Sequence, residues 1–209
     1  MLDQQELINK GVSLPIMEMF FSIQGEGYNT GRQAYFIRLA GCDVGCVWCD
    51  VKESWNAEEH PFTSVENIVN EVAQFGCKFV VITGGEPAMY DLSYLTAELK
   101  QIGSEIAIET SGVYPIKGTF DWICFSPKKF KSPHETSFEK ADELKVIINH
   151  PSDFEWASQH AQKVSDSCKL YLQTEWSKRD RFNNEIVAYV KNHPQWNISL
   201  QTHKYLDIP

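Results

Sequence analysis

The sequence predicts an α/β protein, a partial (open) βα barrel with parallel strands. Three observations carry that expectation. Near-continuous apolar runs alternate with helical patterns from Ala34 onward, as in βα units whose strands are covered by helices. About seven such runs occur, short of the eight that close a barrel. Polar motifs follow six of the runs, and parallel α/β folds bind ligands at the carboxyl ends of their strands.

The first run, Ala34–Leu39 (AYFIRL), leads into a loop bearing Cys42, Cys46 and Cys49. A helix over about 64–75 follows, with Val65, Ile68, Val69 and Val72 on one stripe. Thr63 and Glu66 have capping-box spacing at its start, and Gly76 stands where a C-terminal glycine cap belongs. Phe79–Thr83 (FVVIT) reads as a buried strand ending in Gly84-Gly85-Glu86-Pro87. A helix near 91–102 precedes strand Glu105–Glu109, which closes on Glu-Thr-Ser-Gly. Trp122–Phe125 (WICF) runs into Ser126-Pro127-Lys128. Glu143–Ile148 (ELKVII) leads to a helix whose start, Ser152 with Glu155, again fits a capping box. Cys168–Leu172 closes on Gln173-Thr174-Glu175-Trp176, a helix spans about 184–192, and the last strand, Ile198–Leu200, closes on Gln-Thr-His-Lys. With no repeat or linker, residues 1–209 read as one domain, an N-terminal extension (1–33) followed by the partial barrel (34–209).

Composition removes several classes. The chain is 43% hydrophobic and 22% charged, an ordinary globular balance. A net charge of −9 argues against a nucleic-acid partner, which needs clustered cations on one face. The cluster Lys128-Lys129-Lys131 reads as a solvated loop. No apolar run has membrane-spanning length, and the opening MLDQQELINKGVSLP lacks the apolar core of a leader. Six cysteines in 209 residues are too sparse for a disulfide scaffold, so a cytoplasmic protein with reduced thiols is expected.

Cys42, Cys46 and Cys49 form a C-x3-C-x2-C pattern. A structural zinc site wants four ligands, and only His60 offers itself nearby. A redox dithiol at Cys46 and Cys49 leaves the third thiol unexplained, and Cys77, Cys124 and Cys168 read as small buried hydrophobes. An iron–sulfur cluster fits better, because three thiolates on a four-iron cluster leave one iron open for a ligand. In Gly84-Gly85-Glu86-Pro87 two glycines allow close backbone approach, and Glu86 can accept from an ammonium. The glycines at 25, 27 and 31 miss the dinucleotide fingerprint.

The cysteine pattern after the first strand, with the Gly-Gly-Glu-Pro motif after the second, resembles the radical S-adenosylmethionine (SAM) superfamily. There the open iron of a [4Fe-4S] cluster chelates SAM, and a 5′-deoxyadenosyl radical abstracts a substrate hydrogen. The segments "IQGEG", "FIRLAGC", "CVWCD", "TGGEP", "IETSG", "SPK", "ELKVI" and "LQTHKYLDIP" narrow this further. In that order they resemble the 7-carboxy-7-deazaguanine synthase family over nearly the whole chain. The resemblance implies a lyase that contracts 6-carboxy-5,6,7,8-tetrahydropterin to 7-carboxy-7-deazaguanine with release of ammonia, toward queuosine and related 7-deazapurines. It further implies Mg2+, a flavodoxin or ferredoxin electron donor and a homodimer.

Carried over by residue, Cys42, Cys46 and Cys49 would hold the cluster. Gly84, Gly85, Glu86, Ser126, Pro127, Lys128, Gln173, Thr174, Glu175 and Trp176 would hold SAM. Ile23, Gln24, Gly25, Thr83 and Pro209 would meet the pterin, and Arg38 its carboxylate. Two departures stand out. Val51 occupies the place where the family usually has a Thr or Ser hydroxyl on Mg2+, so a weakened dependence on that ion is expected. Thr174-Glu175-Trp176 replaces a segment often led by proline. Competing readings are an activase that makes radicals on a partner protein, and a non-catalytic zinc-binding module.

Overall fold

The computed structural model describes residues 4–209. Helix α1 (Gln4–Asn9) precedes strand β1 (Ser13–Ile23), which turns back through residues 24–32 into β2 (Gln33–Leu39). Beyond the cysteine loop lie β3 (Phe62–Ser64), α2 (Val65–Phe75), β4 (Phe79–Gly84), α3 (Ser93–Gln101), β5 (Glu105–Thr110) and β6 (Trp122–Phe125). The chain continues through α4 (Glu135–Lys140), β7 (Glu143–Ile148), α5 (Ser152–Ala161), β8 (Lys169–Thr174), α6 (Arg179–Asn192), β9 (Trp196–Ser199) and α7 (Thr202–Leu206).

One sheet runs in the order β3-β1-β2-β4-β5-β6-β7-β8-β9. From β2 through β4 to β9 the pairs are parallel and, β3 apart, each strand lies beside the next in sequence, the architecture of an unclosed βα barrel. These are the seven strands the apolar runs foretold. Strands β1 and β3 extend the sheet antiparallel beyond β2. Only an extension was expected at β1, because its apolar residues do not alternate. A register shift between Ile16 and Glu18 explains this: it turns the strand's buried face over midway, so no single period runs through it.

Alternation along the parallel strands divides the structure into an apolar exterior and an interior that is apolar around Phe79, Val81 and Ala107 and largely polar around a cavity. Tyr35, Ile37, Val80, Ile82, Ile106 and Ile108 pack outward with Ile68 and Val72 of α2 and Leu95 and Leu99 of α3. Leu144, Val146, Ile148 and Leu172 pack with Ala157 of α5 and Phe182 and Ile186 of α6. The intervening residues face a cavity instead: Phe36, Arg38, Thr83, Glu109, Lys145, Ile147 and Gln173 all line it.

Both expected capping boxes shift. Thr63 lies in β3, paired with Leu14, so the cap of α2 passes to Ser64, whose hydroxyl accepts from the Asn67 amide at 3.3 Å. Gly76 closes α2 with φ 65°, as expected. Ser152 is the first residue of α5, not its cap; Asp153 accepts from the Asn149 and His150 amides at 2.8 and 2.7 Å. Helix α6 begins at Arg179, earlier than its apolar stripe indicates. No described helix is long and apolar enough to cross a membrane.

Candidate active site

The carboxyl ends of the strands surround a cavity of about 640 Å³, and Cys42, Cys46 and Cys49 all line it. Their loop is held at both ends. Gly41 and Cys42 amides donate to the Ser54 and Trp55 carbonyls at 2.6 and 3.1 Å, and the Tyr90 hydroxyl donates to the Ala40 carbonyl at 2.8 Å. The double glycine makes this possible from the neighbouring strand. Gly84 has φ 141° and a Cβ there would sit 2.1 Å from the Leu39 carbonyl oxygen; one on Gly85 would sit 2.4 Å from that of Gly41. The Gly85 and Glu86 amides then donate to the Leu39 and Gly41 carbonyls, both at 2.9 Å. Burial pushes the Cys46 thiol up to about 11, with Cys49 and Cys42 adding to the rise and Lys128 opposing it. Burial also raises Cys42. With the Cys42 and Cys46 thiols both raised, ionising them together needs a metal's positive charge.

Most of the residues singled out in the sequence meet in this cavity. Ile23, Gln24, Gly25, Arg38, Val51, Thr83, Gly84, Gly85, Ser126, Lys128, Gln173, Thr174, Glu175, Trp176 and Pro209 all line it. Glu86 and Pro127 do not. Glu86 is fully buried: Oε1 accepts from the Ala88 amide and the Thr110 hydroxyl, and Oε2 from the Ser111 amide and hydroxyl. Its oxygens are occupied, so in place of accepting from a ligand ammonium it pins the loop after β4 to the end of β5. Pro127 is buried between Ser126 and Lys128. The Lys128 ammonium donates to the Ser126 carbonyl at 2.6 Å, and burial lowers its pKa.

A charged network that the motifs did not announce forms another part of the wall. Lys145, 3% exposed, donates to Glu26 Oε2 and Glu109 Oε2, both at 2.7 Å. Gln201 Nε2 donates to Glu26 Oε1 at 2.9 Å and Gln24 Nε2 to Glu109 Oε1 at 3.2 Å. Burial works against the Glu26 carboxylate, but the Lys145 charge, the hydrogen bonds from Lys145 and Gln201, and His203 outweigh it and hold the pKa at about 2. The signal was present: Lys145 is a cation inside the apolar run ELKVII, and a buried lysine requires partners.

The segment 24–28 bridges to both sides of this network. The Gly27 amide donates to Ser199 Oγ at 2.9 Å, and Ser199 Oγ donates to Gln173 Oε1 at 2.5 Å. The Thr202 amide donates to the Gly25 carbonyl at 2.9 Å, and the Tyr28 amide to Glu143 Oε2 at 3.2 Å. A Cβ on Gly25 would lie 2.3 Å from His203 Nδ1, so only glycine fits there.

Comparison with known proteins assigns the arrangement. The Radical SAM superfamily model matches residues 36–153. The 7-carboxy-7-deazaguanine synthase of Flavobacterium psychrophilum is 53% identical over 98% of this chain and 97% of its own. That of Synechocystis is 50% identical over 94% of both. The chain belongs to the 7-carboxy-7-deazaguanine synthase family of radical SAM enzymes. The crystal structure of QueE from Escherichia coli superposes with a TM-score of 0.82 at 31% identity, covering 97% of this chain and 100% of that one.

The family's groups can be tested against these residues. Three cavity thiols, with no fourth cysteine lining the cavity among the described residues, suit a four-iron cluster with one iron open to SAM. His60, the candidate fourth zinc ligand, places Nε2 2.8 Å from the Glu53 carbonyl and does not line the cavity. Among the described residues no set of three His, Cys, Asp or Glu side chains converges on a single ion. Mg2+ fits less well. Val51 lines the cavity with hydrocarbon, and its carbonyl accepts from both the Ser54 amide (3.1 Å) and hydroxyl (2.6 Å). Asp50 Oδ2 is already paired with the Lys204 ammonium at 2.8 Å.

Proposed function

We propose that this chain converts 6-carboxy-5,6,7,8-tetrahydropterin to 7-carboxy-7-deazaguanine with release of ammonia, a step toward queuosine and related 7-deazapurines. The supporting observation is one cavity in which the cysteine loop, the polar strand ends and the Gln24-Gly25 segment meet. When bound, the cluster supplies the electron that cleaves the sulfonium bond of SAM. Cys42, Cys46 and Cys49 would hold that cluster. Gly84, Gly85, Ser126, Lys128 and the Gln173–Trp176 segment would hold SAM, with Lys128 fixing Ser126 through its hydrogen bonds. Ile23, Gln24, Gly25, Thr83 and Pro209 would border the pterin.

Arg38 would receive the substrate carboxylate on its guanidinium fork. It now rests on Glu18 at 2.6 Å, a half-exposed partner that a ligand carboxylate can displace. Residues 1–33 act in this reading as the substrate-contacting extension of a single catalytic domain. A flavodoxin- or ferredoxin-type donor, a homodimer and a cytoplasmic setting with reduced thiols complete it. Magnesium, with no hydroxyl at Val51, would rely on Asp50, substrate and water.

The test is anaerobic reconstitution followed by incubation with the carboxytetrahydropterin, SAM and a reductant. Mass spectrometry should show the deazaguanine acid, with SAM regenerated. An intact cluster that yields no such product would leave the chain in the superfamily and remove this reaction.

A further inference from the structure

The wall at Asp50 and Val51 poses a question the family reaction does not answer: what positive charge faces the ligand there? Protein oxygen for a hard divalent ion is reduced here to the exposed Asp50 carboxylate. The Val51 side chain has none, its carbonyl carries two hydrogen bonds from Ser54, and Asp50 is neutralised by Lys204.

Lys204 has the attributes of a resident cation. Its side chain is 22% exposed and borders the cavity, while that of Asp50 is 61% exposed. Asp50 takes one of the three ammonium hydrogens. The ammonium also lies 5.4 Å from the centroid of the Trp176 ring, whose face favours a cation. The position is fixed from behind, since α7 is tied to the substrate loop through the Thr202 amide and Gly25 carbonyl. The other cavity cations are more deeply committed: Lys145 sits between two carboxylates and Lys128 is turned onto Ser126.

We infer that the ammonium of Lys204, oriented by Asp50, is the second cation, beside Arg38, for the carboxylate of the substrate. The inference rests on the proposed substrate. A fixed ammonium needs no metal to be loaded, and the exposed Asp50 carboxylate orients it without competing strongly for its charge.

Binding of 6-carboxytetrahydropterin to the reconstituted, SAM-loaded enzyme tests this by anaerobic calorimetry, with EDTA or with Mg2+. Wild-type affinity should be the same in both to within about twofold. Lys204→Met should weaken it about tenfold or more, the loss of one charge-assisted hydrogen bond, and leave binding of unsubstituted tetrahydropterin unchanged. Adding Val51→Thr to Lys204→Met should make binding Mg2+-dependent. A wild-type affinity that Mg2+ raises tenfold overturns the inference without any variant. So does a Lys204→Met enzyme that binds the two pterins with equal losses, or with none. Absence of carboxytetrahydropterin binding to the wild type would remove the proposed substrate as well.

Discussion

Lys145→Met removes the buried cation between two partly exposed carboxylates, Glu26 and Glu109, while nearly preserving side-chain volume. The loss can be worked from Glu26. Its pKa of about 2 lies below the ordinary 4.5, a difference that corresponds to about 3 kcal/mol of folding free energy at neutral pH. Breaking a fully buried pair by removing one partner costs about 3–5 kcal/mol, an upper bound here because both carboxylates are partly exposed. Because the folded pKa is depressed, this stabilisation is complete above about pH 4.5 and disappears as pH falls through about 2. The variant should therefore be about 3 kcal/mol less stable than wild type in urea at pH 7.5, and the gap should narrow on acidification as Glu26 takes up a proton. Equal m-values would show that the difference lies in stability and not in compactness. A deficit below about 1 kcal/mol at pH 7.5, or one that stays constant down to about pH 2.5, would refute the claim that Lys145 holds the Glu26 carboxylate charged.

The other expectations are briefer. Cys49→Ala should abolish the visible absorbance and iron content of the reconstituted protein while changing apo stability by no more than about 0.5 kcal/mol, since the residue is half-buried and lines the cavity. Gly85→Ala places a methyl 2.4 Å from the Gly41 carbonyl oxygen; it should cost about 1–3 kcal/mol in urea unfolding and lower iron loading by shifting the cysteine loop. Glu86→Gln keeps shape but leaves an NH2 facing the Ala88 amide and Thr110 hydroxyl, or the Ser111 donors; it should cost about 1–3 kcal/mol by thermal unfolding and weaken SAM binding only indirectly. Ser199→Ala breaks the link from the Gly27 amide to Gln173, and calorimetry should show SAM and pterin affinities falling together.

The seven parallel strands were legible because each carries a short, mostly apolar run, and their order was legible because sequential βα units place neighbours side by side. Strand β1 was not, since the shift at Ile16 erases its periodicity. The cysteine loop and the double glycine could be read as motifs, but Glu86 could not be assigned from its motif. Its position before Pro87 says nothing about Thr110 and Ser111, which arrive from 24 and 25 residues away. Lys145 was hidden for the opposite reason. In a strand with a helix on one side and a cavity on the other, a lysine within an apolar run marks the inner face, and the reading of ELKVII as doubly covered passed over that exception.

Closure and recognition are one problem in this fold. Seven parallel strands do not complete a barrel, and an open sheet exposes the inner polar face of β5, β7 and β8 to water. The segment 24–28 partly covers that face: Glu26 reaches Lys145 on β7, Gly27 reaches Ser199 on β9, and Tyr28 stacks on Trp122 of β6 at 4.5 Å between ring centroids. The residues proposed to meet the pterin, Gln24 and Gly25, thus lie in the piece that limits water's access to Lys145 and strengthens its ion pairs. A change that loosens this segment should therefore weaken substrate binding and the buried network together, whereas damage confined to the cysteine loop should leave the network intact. That separation follows from the topology, since the cysteine loop leaves the carboxyl end of β2 and the covering segment enters its amino end.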